Sequence, residues 1–332
     1  MYEPENFEEN YKAYLVDLLS TNYKTYENKG DAEKERKRIW KQLGDSETAY
    51  CDIYIDPDGK KNTDFYSALS DFLNASRISR KNNKILSFEA NEAPYGMITV
   101  YYKDKYGNKQ HFTVHSDQLG FSAVPWIYFS NKYPLSRYFE MQKNKEAAQF
   151  LADYVLTTRT LGGSFLWPET LWKGYNRSRG CAKIEDRVDL TLLEIKHYFE
   201  YRDLDDKKKF KYSGDILFRY YDNLDAQTWF GFFDSFEDYV DFFMFNDFVD
   251  KDKQTKEYTP INILTGKAFE TDYPGYKTNT LKEIEDEKQL KEMLEQVRDM
   301  VEKRTKKMED LINEYKQTND TKGEKHENIL HE

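Results

Sequence analysis

Hydrophobic positions recur along this chain with two periods, and the change of period divides it. Residues 6–28 place Phe7, Tyr11, Tyr14, Leu15, Leu18 and Leu19 at helical spacing. Residues 31–42 (DAEKERKRIWKQ) predict a charged helix, with Asp31 as N-cap, Ile39 and Trp40 as its anchor and Gly44 just past its end. From Tyr50 the pattern shortens. A turn at Asp56-Pro57-Asp58-Gly59 leads to a helix from about Thr63. Alternation then predicts strands over 84–90 and 96–103, the second joined through Tyr106-Gly107-Asn108 to a strand over 111–115 as a hairpin. A strand or short helix is expected at 123–129, one or two amphipathic helices over 133–157, and a strand at 163–167.

Helical spacing dominates the second half. In 189–201, Leu192, Ile195 and Phe199 form a stripe with Leu193 and Lys196 beside it. Helices are expected over 215–223 and 234–249, separated from the first by a charged loop at 203–211. Pro260, Gly266, Pro274 and Gly275 predict irregular structure over 254–280. From 281 to 316 breakers almost vanish. Leu290, Leu294, Val297, Val301, Met308 and Leu311 follow alternating steps of four and three, and Arg304 occupies one core slot of this heptad seam. Residues 317–332 are polar enough to predict disorder.

These elements predict the α+β class, with a mainly antiparallel sheet and packed helices. The expected organisation is a helical N-terminal extension (1–48), a single α+β domain (49–280), a long heptad-like helix (281–316) and a disordered tail (317–332). The heptad seam would pair with a second copy, a protein partner or the N-terminal helix.

Composition narrows the function classes. Hydrophobic residues make up only 39% of the 332, but aromatics reach 16%, so Tyr and Phe must supply much of the core. The net charge of −10 disfavours non-specific binding to DNA, which depends on Lys and Arg displacing phosphate counterions. No apolar run suits a membrane helix or a secretory signal. The two cysteines, Cys51 and Cys181, form no CxxC pair or disulfide framework, which points to a reducing, cytoplasmic setting.

Groups able to bind or react concentrate between 161 and 198. Gly162 and Gly163 allow a close backbone approach. In Asn176, Arg177, Ser178, Arg179, Gly180, the two arginines can fork onto phosphate or carboxylate while Gly180 lets backbone amides close on the same anion. Asp186, Arg187 and Asp189 follow, as base, metal ligand or catalytic cation, or else as a salt-bridge and N-cap network at the start of a helix. Asp241 or Asp247, among Phe and Met residues, is expected to meet Arg187 or Arg179, because an unpaired buried carboxylate is costly. Acids at Asp52, Asp56, Asp58 and Asp64 could hold a divalent metal, but they lack the final Glu of an EF-hand and turn chemistry accounts for them. His111 and His115 share one side of a strand without a third ligand at metal spacing, and His197 is either a base or a surface residue. GxGxxG, P-loop and GxSxG motifs are absent.

Gly162, Gly163 and Pro168, then Asn176, Arg179, Gly180, Ile184, Asp186, Arg187, Asp189 to Leu192 and Ile195, then Tyr239 to Phe243 with Asp247, together resemble an uncharacterised bacterial family described as a domain of unknown function. The DPDG turn with Tyr66-Ser67, and HFTVHSDQLG, match the front half of the same family, so the resemblance spans about 50–265. Cys181 departs from its pattern, which often has an apolar residue there. The resemblance implies no activity, and the helical ends look like additions to the shared domain.

The expectation is therefore a protein whose Arg/Asp cluster binds a phosphate-containing ligand, a nucleotide or RNA. The residues leave open whether it is an enzyme and which cofactor it uses, with a divalent metal admissible; a toxin or phage-defence setting is expected only from the chain's general character. The alternative is a non-catalytic interaction or regulatory protein that assembles through residues 281–316.

Overall fold

The computed structural model describes residues 63–91, 97–119, 145–158, 160–171, 173–174, 187–202, 204, 214–270 and 287–329. The expected N-terminal helices, the DPDG turn, both cysteines, the segments 123–129 and 133–144, and the loop at 205–211 lie outside them.

Helix α1 (Thr63–Ser79) opens the described chain. Tyr66, Leu69, Phe72, Leu73 and Ser76 recur at three- and four-residue steps and are all buried, so one stripe faces the core. Strands β1 (Ile85–Ala90), β2 (Met97–Lys103) and β3 (Lys109–Gln118) form an antiparallel meander. After α2 (Lys145–Thr158), strand β4 (Ser164–Pro168) returns to complete the order β1-β2-β3-β4. Alternation decides the faces: Ile98, Val100 and Val114 are fully buried, and α1 crosses this face, its Tyr66 hydroxyl 2.9 Å from Ser116 Oγ. Strand β1 lies at a sheet edge, where unpaired backbone would be a liability. Asn74 of α1 covers it, accepting from Phe88 N at 3.0 Å and donating to Phe88 O at 2.8 Å.

Helix α3 (Val188–Tyr201) runs through the centre of the molecule. Helices α4 (Leu224–Gly231) and α5 (Phe236–Phe242) follow, capped by the side chains of Asn223 and Ser235. Their aromatics form much of the core, with Trp229, Phe230, Phe233, Phe236, Tyr239, Phe242, Phe243 and Phe245 all buried. The single helix expected over 234–249 is thus cut short. Met244 takes φ 56°, and Phe245 N bonds back to Val240 O at 2.9 Å, a Schellman closure with methionine where glycine is usual. Beyond it, the stretch expected to be irregular contains a second antiparallel sheet of β5 (Val249–Lys251), β6 (Tyr258–Asn262) and β7 (Lys267–Ala268). Residues 215–223, expected as a helix, hold only a 3-10 turn over Leu217–Tyr220.

Helix α6 (Glu287–Ile329) spans 43 residues, about 65 Å at 1.5 Å per residue. Its backbone stays helical past 316, where the composition predicts loss of structure; between there and its end the sequence holds no proline and a single glycine, Gly323. The heptad seam is directed inward. Leu294, Val297, Val301, Arg304 and Met308 are buried together with Met293, Met300 and Ile312, against α1, α2 and the turn before β4. The stripe expected to seek another copy or a partner is therefore covered by the chain's own domain over these residues.

Candidate functional site

Every residue of α3 except Glu200 is buried, including Asp189, Thr191, Glu194, Lys196 and His197. A helix enclosed on all sides must pair each polar group it carries. Alpha-helical geometry sorts these groups onto two faces.

The first face carries Asp189 and Lys196, seven residues apart, toward the second sheet. Arg187 grips Asp189 in a two-pronged pair, Nε donating to Oδ1 at 2.9 Å and Nη2 to Oδ2 at 2.8 Å. Asp189 Oδ2 also accepts Ile263 N at 3.0 Å, which ties α3 to the β6–β7 turn. The side chains are 1% and 0% exposed, so both of these expected catalytic residues sit inside the protein. Lys196 bonds Glu257 at 2.6 Å and lies near Glu200 at 3.3 Å.

The second face carries Glu194, His197 and Tyr201 at steps of three and four, and it holds the segment that starts at Asp215. Glu194 accepts Ile216 N at 3.0 Å and Leu217 N at 2.9 Å, one oxygen each. His197 Nδ1 lies 2.7 Å from Asp215 Oδ2, both residues buried. Burial pushes the Tyr201 phenol well above its usual pKa, and the charges of Asp215 and Glu194 push the same way. An imidazole oriented by a buried carboxylate can take or give a proton at a fixed position, which makes this cluster the most chemically capable group among the described residues.

The glycine pair has a different neighbour from the ligand expected. A Cβ at Gly162 would lie 2.3 Å from Val301 O and 2.4 Å from Thr305 Oγ1, and one at Gly163 would lie 1.7 Å from Thr158 O. Their close approach is to α6 and to the end of α2. Arg304 of α6 occupies the same corner, donating to Gly162 O at 2.7 Å, Ser164 O at 2.8 Å and Phe243 O at 2.9 Å.

The expected ligand-binding residues Asn176, Arg177, Arg179 and Gly180, and the expected catalytic residue Asp186, lie outside the described residues. The proposed contact of Asp241 or Asp247 with Arg187 does not form. Arg187 pairs with Asp189, while Asp241 meets Arg80 at 3.3 Å, Asn246 at 2.6 Å and Tyr258 at 3.1 Å, and Asp247 meets Lys307 at 2.5 Å. A carboxylate two residues away on the first turn outcompetes distant ones for a buried guanidinium. His115 is buried, opposite Trp167 in the β3–β4 register, and His111 is exposed. Among the described residues no three His, Cys, Asp or Glu side chains gather as a metal site, and no helix is long and apolar enough to cross a membrane.

The sequence leaves His197 between a base and a surface residue, and no motif singles out Asp215. One signal was present: Leu190, Leu192, Leu193, Ile195 and Phe199 surround the helix rather than striping it, so polar residues between them have to be internal.

Neither the curated proteins nor the solved structures contain a match to this chain. A family model does match, over residues 51–308, and so includes α6 through Met308 rather than ending near 265. The helix that closes the core over Gly162 is thus part of the shared domain, and the chain belongs to DUF6994, a family of unknown function.

Proposed function

We propose that this protein binds a nucleotide or a related phosphate-containing ligand beside α3, in the cytoplasm, and acts on it with the His197–Asp215 pair as the proton-handling element. The observation that carries this reading is that buried pair, 2.7 Å apart, on the second face of α3. Sequence charge supports it. The stretch leading into α3 carries Lys173, Arg177, Arg179, Lys183 and Arg187 against Glu185 and Asp186. The stretch leaving it carries Arg202, Lys207, Lys208, Lys209 and Lys211 against Asp203, Asp205 and Asp206. In a chain of net charge −10, basic surplus at both ends of the helix that carries His197 favours an anionic ligand there. Arg187 is committed to Asp189, so Arg177 and Arg179 are the arginines assigned to the phosphate.

Thermal-shift measurements against inorganic phosphate, nucleoside mono- and triphosphates and NAD test the reading. A ligand at about 100 times its dissociation constant adds about 2.7 kcal/mol, a readily visible shift. The shift should vanish in Arg177→Ala/Arg179→Ala and persist in His197→Gln, which should lose turnover instead. No response to any phosphate compound, or one unchanged in the double arginine variant, would remove the proposal.

A further inference from the structure

The β2–β3 hairpin ends in a tip whose chemistry differs from the rest of this acidic chain. In register, Tyr101 faces His111 and Lys103 faces Lys109, while the intervening pairs Val100–Phe112 and Tyr102–Gln110 lie on the opposite face. Tyr102 and Phe112 turn inward, packing against Phe232. The outward face is left with an aromatic and basic surface. Lys109 Nζ lies 4.3 Å over the Tyr101 ring, and the His111 ring sits 5.8 Å from it. At the turn, Tyr106 is 77% exposed with Lys105 Nζ 5.1 Å from its ring. Lys103, Lys105, Lys109 and His111 are all exposed.

Asp104, the one acid between Lys103 and Lys109, offsets only one of the three lysines there and is engaged in building the turn. Asp104 Oδ1 accepts Tyr106 N and Asn108 N, both at 2.9 Å, and Oδ2 accepts Asn108 Nδ2 at 3.3 Å and Gln110 Nε2 at 3.2 Å. The carboxylate thereby rigidifies the loop that presents Lys105 and Tyr106, with Gly107 at φ 85° completing it. On the neighbouring strand, Glu89 is paired with Thr99, two residues further from the tip than Tyr101.

We propose that this tip is a docking surface for single-stranded nucleic acid. The lysines would meet successive phosphates, and Tyr101 and Tyr106 would offer flat faces on which unpaired bases stack. A duplex hides those base faces. Cations beside an exposed ring at Tyr106 and a half-buried one at Tyr101 are a combination suited to binding single strands without reading their sequence. The tip is built by β2 and β3 rather than by α3, and the inference does not rest on the function proposed there.

Fluorescence anisotropy with a labelled oligouridylate of about 12 nucleotides, a length within the usual site size, provides the test. Wild-type protein should bind at about 50 mM salt and weaken steeply by about 200 mM. Lys103→Glu/Lys105→Glu/Lys109→Glu should bind at least about tenfold more weakly and show a shallower salt dependence. Tyr106→Ala should cost about fivefold or more without lowering the melting temperature, since its ring is 77% exposed. Arg177→Ala/Arg179→Ala should leave this binding unchanged. No binding by the wild type at low salt, or equal binding by the lysine and Tyr106 variants, overturns the proposal, as does loss of binding confined to the arginine variant.

Discussion

The guanidinium of Arg304 lies 3.8 Å over the ring of Phe245, which itself stacks on Phe165 with centroids 4.5 Å apart. Among the described residues no carboxylate pairs with this buried cation; backbone carbonyls of Phe243, Gly162 and Ser164 hold it. It therefore fastens two separate segments to one helix: the end of α5, and the glycine turn where it runs into β4.

Replacing Arg304 should be among the most damaging changes in the protein. Arg304→Ala strands three carbonyls and opens a cavity, and should lose roughly 3–5 kcal/mol in urea unfolding. Arg304→Lys should rescue little, because one ammonium cannot reach three carbonyls and also lie flat on a ring. A lysine variant as stable as wild type would show that charge alone matters.

The Arg187–Asp189 pair allows a similar separation of roles. Removing one partner leaves an uncompensated buried charge, so Arg187→Ala should cost about 3–5 kcal/mol. Replacing both, as Arg187→Met/Asp189→Leu, should recover a large part of that loss, apart from the bond to Ile263 N. Equilibrium unfolding of the two single and the double variants gives the coupling directly. Independent, additive effects would contradict the pairing.

His115 sets a pH dependence. Burial lowers its pKa in the folded protein; Glu169 opposes the shift and Lys173 adds to it. Between the lowered folded value and the ordinary value near 6.5 the unfolded chain binds more protons, so stability rises with pH across that window. It is fully present above about 6.5 and is lost as pH falls through the folded pKa. Melting temperature should thus drop between about pH 7 and pH 5, and His115→Gln should flatten part of that drop. An unchanged slope in the variant would assign the dependence to other groups.

Lys81 closes α1 in the way Met244 closes α5. It takes φ 53°, and Asn82 N returns to Arg77 O at 3.0 Å. The side chain is exposed, so it contributes little packing to offset its left-handed backbone. Lys81→Gly should raise stability by up to about 1 kcal/mol, read as a higher urea midpoint at constant slope. A lower midpoint would mean the lysine makes contacts that outweigh the strain.

These two closures also explain what could be read from the sequence. The strands at 85–90, 97–103 and 109–118 alternate cleanly, and α3 carries an unbroken helical run, so both were legible in residue order. The heptad spacing even placed Arg304 in a core slot, which it occupies at 1% exposure. The end of α5 was not legible, because its left-handed residue is a methionine and no glycine marks the stop. Nor was the second sheet, whose strands are three, five and two residues long, with Pro260 read as a breaker although it pairs with Val249. The candidate site was least legible. His197 and Asp215 are 18 residues apart on different elements, and only the enclosure of α3 brings them together.

The fastening of α6 onto the glycine turn has a consequence for how the protein is made. Arg304 donates to Gly162 O across 142 residues of sequence. At roughly 5–20 residues per second, the ribosome delivers that arginine about 7–30 s after the glycine turn it must cover. From the middle of that interval β4 and the aromatic cluster of α4 and α5 are all synthesised and lack the helix that closes over them. The nascent chain therefore carries its most aggregation-prone surface uncovered for seconds, and this domain should depend on holding chaperones more than its modest size suggests.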